Sequence, residues 1–234
     1  MEMPFQPNEG KNLVIETADY GKLARYPVKT HVITDKDVLE DVLDKYVRDY
    51  VQEGDTIIMS EKIVAISQGR AFPIDEIKVS PLAKLLSHFV VKTNYGIGLG
   101  MPETMELCIR EVGAVKVLFA AVCAGIGKLF GKHGVFYNIC GMKARAIDGP
   151  CEYTLPPYNH YAKMAPDKPD EVAERLAKHI GVDVVIIDAN DIGANVLGKC
   201  RKDLPDEFAI QAFKDNPLDQ CSQQTPIAIV RKAD

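Results

Sequence analysis

The chain has 234 residues, a formal net charge of −5, 47% hydrophobic and 26% charged residues, which fits one large domain or two small interlocked lobes and excludes a long multidomain assembly. Twenty-eight Lys+Arg against 33 Asp+Glu leave no basic footprint for sequence-independent nucleic-acid binding, so no nucleic-acid partner is expected, while a small anionic ligand stays open.

Residues 1–10 carry neither a basic nor an apolar leader segment, which predicts a cytoplasmic protein. The longest apolar run, residues 115–127, is interrupted by Lys116 and Gly125 and falls short of the roughly 20 residues that span a bilayer, so no membrane partner is expected. Six cysteines show no Cys-x-x-Cys pair and no zinc-ligand spacing with the five histidines, and free thiols are the expectation.

In chain order, Thr34-Asp35-Lys36-Asp37 resembles a capping box opening an amphipathic helix, with Val38, Leu39, Val42, Leu43, Tyr46, Val47 and Tyr50 on one face and Gly54 beyond its end. Residues 56–59 read as a strand buried on both faces. A second helix is predicted over 102–112, where Met105, Cys108, Ile109 and Val112 share a face. Residues 115–122 and 134–139 read as further strands around a glycine-rich turn. The proline- and tyrosine-rich stretch 153–169 predicts an ordered loop. Pro169 then opens a helix with Val172, Leu176 and Ile180 on one face and Gly181 as its stop, followed by a strand over 182–187 that ends at Asp188. A helix near 205–214 and a strand over 227–230 complete a mixed α/β (α+β) reading.

Two carboxylates stand where apolar segments stop. Asp188 and Asp191, with Asn190 between them, offer oxygen ligands for Mg²⁺ or Mn²⁺ at a place where α/β sheets hold ligands; the same three residues also read as turn formers. Asp148, before Gly149-Pro150, is either a second metal aspartate or part of a simple turn. Two such aspartates sharing a cation that carries nucleotide phosphates would suit phosphoryl transfer. The dinucleotide fingerprint and the P-loop are both incomplete around Gly96 to Gly100 and Gly125 to Leu129, leaving lysines such as Lys29, Lys62 and Lys128 for phosphates. Of the histidines, His133 before Gly134 and His160 in the proline-rich loop are the site candidates. No Gly-x-Ser-x-Gly elbow is present, so a serine-triad hydrolase has no support.

Pro27-Val28-Lys29-Thr30-His31-Val32-Ile33, Gly54-Asp55-Thr56-Ile57-Ile58 with Ser60-Glu61-Lys62-Ile63-Val64, the loop and helix around Leu155-Pro156 and residues 166–173, the strand leading to Asp188, and Gln224-Thr225-Pro226-Ile227-Ala228-Ile229 together resemble the coenzyme F420-0:L-glutamate ligase (γ-glutamyl ligase) family. The resemblance implies a single domain of two interlocked lobes, dividing near residues 95–150, that forms an intertwined homodimer. It also implies an amide ligase in which GTP and a divalent metal, Mg²⁺ or Mn²⁺, activate a carboxylate acceptor as an acyl phosphate for attack by the amino acid glutamate. By position, Asp188 matches the family's strand-end metal aspartate, Asp148 is nearest to its second one, and Ser60, Glu61 and Lys62 match a segment on the nucleotide side. Two departures stand out. After His133-Gly134 this chain has Val135-Phe136-Tyr137-Asn138-Ile139 in place of an Ala-Asn-Ala-Gly-Val-Asp segment, and Ala189 to Asn195 lacks the two arginines and the tryptophan that follow the family's aspartate. The alternatives implied are a ligase for another acid and amine pair, or a nucleotide-binding protein that has lost catalysis.

Overall fold

The computed structural model describes residues 3–90, 98–152, 154–190, 193–219 and 223–233. The chain divides into two compact units, one formed by Met1–Gly69 with Pro166–Asp234 and the other by Arg70–Ala165.

The first unit is built on strands β1 (Val14–Thr17), β2 (Gly21–Val28), β3 (Thr56–Ser60), β6 (Asp183–Asn190), β7 (Gly193–Lys199) and β8 (Ile227–Lys232), with helices α1 (Leu39–Tyr46), α2 (Glu61–Ser67), α8 (Pro169–Ile180) and α9 (Asp206–Ala212). The second contains β4 (Ala71–Pro73) paired with β5 (Tyr161–Lys163), and helices α3 (Pro81–Ser87), α4 (Pro102–Val112), α5 (Ala114–Leu129), α6 (Val135–Cys140) and α7 (Met142–Arg145).

The sheet of the first unit runs β1-β2-β8-β3-β6-β7. Its β3–β6 pairing is parallel and its other pairings among the described strands are antiparallel. Strand alternation sends Ile58, Val185, Ile187, Ala228 and Val230 to one face, where they meet Phe208, Ala209, Ala212 and Phe213 of and beside α9. Ile57, Met59, Val184, Ile186, Ile227 and Ile229 are equally buried and take the opposite face, where α8 lies against β6 and β7 and α1 lies against α8. Burial on both faces is why 57–59 and 184–187 are continuously apolar.

Helix α8 begins at Pro169 and stops at Gly181 in the left-handed conformation (φ 88°), as proline at the first turn and glycine past the last one require. Helices α4 and α9 and strand β8 also fall where the sequence places them.

Three expectations are corrected. Residues 115–122 and 135–139 are helical, within α5 and as most of α6. Apolar runs do not separate a buried strand from an all-apolar helix by periodicity; here Gly113 (φ 91°) and Gly134 (φ 76°) turn the chain into each helix, and Leu118, Ala120, Ala121 and Ala124 favour helix. Thr34 and Asp37 close a tight turn of their own, with the Thr34 N–H and hydroxyl both donating to Asp37 Oδ2 at 2.7 and 2.8 Å, and α1 starts afterwards at an uncapped Val38. Strand β6 does not end before Asp188 but continues to Asn190 and pairs antiparallel with β7. The elements β1, β2, α2, α3 and β7 carry no signal of comparable strength in the sequence.

Among the described residues no single helix is long and apolar enough to cross a membrane; α4 and α5 reach that apolar length only as a pair bent by 117°. Cys108, Cys123, Cys140, Cys151 and Cys200 are free thiols; Cys221 lies outside the described residues.

Candidate functional site

Register across the sheet gathers most of the predicted site residues of the first unit. Val28 pairs with Ile227, Ile227 with Met59, and Met59 with Ile186, so these four form one row across β2, β8, β3 and β6. Lys29 and Ser60 lie one residue past that row and Asp188 two residues past it, all on the same edge of the sheet. This is the carboxyl end of the parallel β3–β6 pair, the side on which open α/β sheets hold ligands.

Each side chain at this edge has a local cause. The Ser60 N–H donates to Pro226 O at 2.9 Å, and the Ser60 hydroxyl oxygen accepts the Lys62 N–H at 3.3 Å as the chain turns from β3 into α2. Glu61 follows as a buried carboxylate and Lys62 is half-buried. The Thr30 N–H donates to Gln224 O at 3.0 Å, which ties the end of β2 to the residues entering β8. Lys29 is exposed.

Asp188 and Asn190 alternate with Ile186, so both project to the face on which α8 lies. Asn190 Oδ1 accepts the Gly193 N–H at 3.2 Å, which assigns Asn190 to the β6–β7 hairpin, as its turn-forming reading anticipated. Asp191 lies outside the described residues. No group of three or more His, Cys, Asp or Glu among the described residues forms a metal cage. The donors at this edge are oxygens in small number, which suits a hard cation such as Mg²⁺ that takes one or two carboxylates and completes its shell with water and phosphate oxygens.

His31 belongs to the same edge and was not singled out from the sequence. Its ring stands 2.8 Å (Nε2) from Asp37 Oδ1 and 3.0 Å (Nδ1) from Tyr46 Oη. Burial would raise the Asp37 carboxyl, but hydrogen bonds from His31 and Thr34 and the histidine's charge outweigh it and hold Asp37 below the usual range. The available signal was its place three residues past the end of β2; spacing to other histidines carried none.

The remaining candidates belong to the second unit. Asp148 is half-buried and forms an isolated antiparallel bridge with Lys163: Asp148 N–H to Lys163 O at 2.9 Å and the reverse bond at 2.8 Å. Lys163 itself is buried and its Nζ lies 3.4 Å from Tyr158 O, a buried cation that the proline-rich sequence around it does not announce. His160 is exposed at the end of a short 3-10 turn (Tyr158–His160), and His133 is exposed between α5 and α6. Glu111 accepts from Arg70 Nη2 at 2.8 Å and pairs with Lys143 at 2.8 Å; burial opposes its charge, yet these two cations hold its carboxyl below the ordinary range.

A mixed α/β unit thus presents lysines, a hydroxyl and carboxylates at the carboxyl end of a parallel strand pair, the place where open α/β sheets hold ligands. The chain belongs to the F420-0:gamma-glutamyl ligase family, whose model matches residues 27–196. It is also similar to the coenzyme F420:L-glutamate ligase of Methanopyrus kandleri, 27% identical over 141 residues, which is 58% of this chain and 47% of the relative. The chain thus spans about half the length of that curated relative.

Proposed function

We propose that this protein is a GTP-driven, metal-dependent ligase that joins the amino group of glutamate to a carboxylate of F420-0 or a close analogue. The observation that carries the reading is the convergence of Lys29, Ser60, Glu61, Lys62 and Asp188 on one sheet edge in a chain of this family. The acceptor carboxylate takes the γ-phosphoryl group of GTP, giving an acyl phosphate and GDP. The glutamate amine then attacks the acyl carbon, the C–N bond forms, and inorganic phosphate leaves with the former carboxylate oxygen while the amine loses its proton. A bound Mg²⁺ or Mn²⁺ would neutralise charge on the phosphates. Asp188 is the residue assigned to hold it; Asp148, which belongs to the second unit, is a metal candidate of its own, to be tested separately. Lys29 and Lys62 supply positive charge toward phosphate, Ser60 holds the Lys62 N–H through its hydroxyl oxygen, and Glu61 is assigned to the same nucleotide side. The work left to the protein is orientation and exclusion of water.

The test is a direct assay. Purified protein with GTP, Mg²⁺ or Mn²⁺, F420-0 and glutamate should release GDP and phosphate and yield a product heavier by one glutamyl residue. A second reading, a ligase for another acid and amine pair or a nucleotide-binding protein without catalysis, is favoured by the missing arginines after Asp188 and by Asn190 serving the hairpin. Tight nucleotide binding without GDP release for any acid and amine pair would select the non-catalytic form.

A further inference from the structure

Helix α5 is apolar on two opposite sides. Val117 and Ala120 are buried in the core of the second unit, while Val115, Leu118, Phe119, Val122, Ile126 and Leu129 are exposed, the first and last at 84%. At 3.6 residues per turn those six fall inside an arc of about 100°. Lys116 and Lys128 flank the arc, one on each side, and are the charged residues of this helix. An exposed apolar stripe this continuous marks an interaction surface. Its ends extend it. The Lys128 ammonium donates to Phe89 O at 3.1 Å, which brings exposed Phe89 beside the C-terminal end. At the N-terminal end lies an open hollow of about 560 Å³ lined by Val112, Gly113, Ala114, Val115, Lys116 and Phe119.

The charge around the stripe indicates what covers it. In a chain of net charge −5, no Asp or Glu occurs from Gly113 to Ile147, whereas Lys116, Lys128, Lys132, Lys143 and Arg145 do. All five are exposed. Lys143 is paired with Glu111 at 2.8 Å, and among the described residues no ion pair takes Lys116, Lys128 or Lys132. We propose that α5 docks this protein on the surface of an anionic lipid bilayer, with Val115, Phe119, Val122, Ile126 and Leu129 among the upper acyl chains and Lys116, Lys128 and Lys132 at the acidic headgroups. The stems of those lysines run along the apolar stripe while their ammonium groups reach outward, and a cluster of cations beside an apolar face is what an acidic membrane surface attracts. In the hollow, Lys116 is the charged group, so an acyl chain laid against Val115 and Phe119 leaves its headgroup at the ammonium. A free interfacial helix is polar on the side that meets water; the inner side of α5 is apolar because it meets protein instead. With 16 residues the helix is about 24 Å long, short of the roughly 30 Å hydrocarbon core, so it lies on the bilayer and does not cross it. A second copy seated on the same stripe would bring further lysines to the seam and, from these residues, no carboxylate to answer them. The docking surface stands apart from the ligase reading.

The full chain should float with vesicles of phosphatidylglycerol and phosphatidylcholine in about equal parts at about 0.1 M salt, and bind at least about 10-fold more weakly to phosphatidylcholine alone or at about 0.5 M salt. Val122→Asp, at a position 61% exposed, should weaken binding at least about 10-fold, as should Lys116→Glu combined with Lys132→Glu. Val38→Asp makes the same change of charge at a 52% exposed valine just before α1 in the first unit, and should bind like wild type. The chain has no tryptophan, so Phe119→Trp reports on the stripe directly even where a charged variant fails to fold. Its emission should shift to the blue on adding phosphatidylglycerol vesicles and be quenched by lipids brominated on the acyl chains. The proposal is overturned if the wild-type chain stays free of phosphatidylglycerol vesicles, if folded Val122→Asp floats like wild type, or if the Phe119→Trp emission does not move. It is equally overturned if sedimentation equilibrium without lipid shows a self-association that Val122→Asp abolishes, since a second copy would then cover the stripe.

Discussion

Ser60 pairs in register with Ile187 across the parallel β3–β6 pair, so the residues that leave β3 into α2 and the carboxylate next along β6 come to one edge of the sheet. Two segments that are 127 residues apart by number (187 − 60) therefore belong to one candidate site, and the first test follows from that placement.

Asp188→Ala should lower metal-dependent nucleotide affinity at least about 10-fold, in the range seen when metal-site groups are lost. Isothermal titration with GTP in the presence and absence of Mg²⁺ reads this. Equal affinity for wild type and variant would remove Asp188 from the metal assignment. Asp148→Ala, measured in the same way, decides independently whether that carboxylate contributes.

Asp55 is buried and accepts two hydrogen bonds from Arg231, at 2.7 Å from both Nε and Nη2, while Arg231 Nη2 also donates to Tyr50 O at 3.1 Å. Asp55→Ala leaves a mostly buried guanidinium without its counter-charge and should cost roughly 3–5 kcal/mol of unfolding free energy. Urea denaturation provides the measurement, and a loss below 1 kcal/mol would place the pair among weak surface contacts.

Gly198 on β7 is needed for close approach rather than for its backbone angle. A Cβ there would stand 2.4 Å from Pro169 C and 2.7 Å from Asp170 N, both backbone atoms at the start of α8. Gly198→Ala must push α8 off the sheet and should destabilise the protein by about 1–3 kcal/mol, seen as a lowered Tm. Gly193→Ala, whose Cβ meets nothing within 4 Å, is the matched control and should melt close to wild type.

The Glu111 carboxyl is held low by Arg70 and Lys143, and Asp215 is held low by Arg25 despite its burial. A carboxylate whose folded pKa lies below its unfolded value stabilises the fold above the unfolded value, and that contribution disappears as pH falls through the folded one. Stability should therefore decline from about pH 4 downward. Glu111→Gln should flatten this decline while lowering stability at pH 7. An unchanged acid limb in the variant would exclude Glu111 as a source of it.

Burial, reinforced by neighbouring Cys140, pushes the Cys108 thiol up to about 12, so its thiolate is scarce at neutral pH. Iodoacetamide at pH 8 should leave Cys108 unmodified in the native protein and label it in urea, with peptide mass mapping as the readout. Cys123 and Cys151, both only partly buried, should react under native conditions.

Much of the fold was legible in the sequence wherever a segment's own chemistry was decisive. Pro169 and Gly181 bound α8, Met105 and Cys108 mark the inner face of α4, and burial on both faces makes 56–59 and 182–187 read as strands. Asp188 and the Ser60-Glu61-Lys62 segment could be chosen as site residues from their positions after apolar runs and from the family pattern. Thr34 and Asp37 show the limit of such local signals, since the same two side chains that could cap a helix instead satisfy each other in a turn. Long-range pairing had no such signature. The row through Val28, Ile227, Met59 and Ile186 depends on hydrogen bonds between segments distant in sequence, and only those bonds bring Lys29, His31, Ser60 and Asp188 to one edge. The same holds for α5: its apolar composition was plain, but helix against strand, and which side the unit's own core covers, were decided by the turn at Gly113 and by packing. Composition thus fixed which groups must leave water, and tertiary structure decided which of them meet.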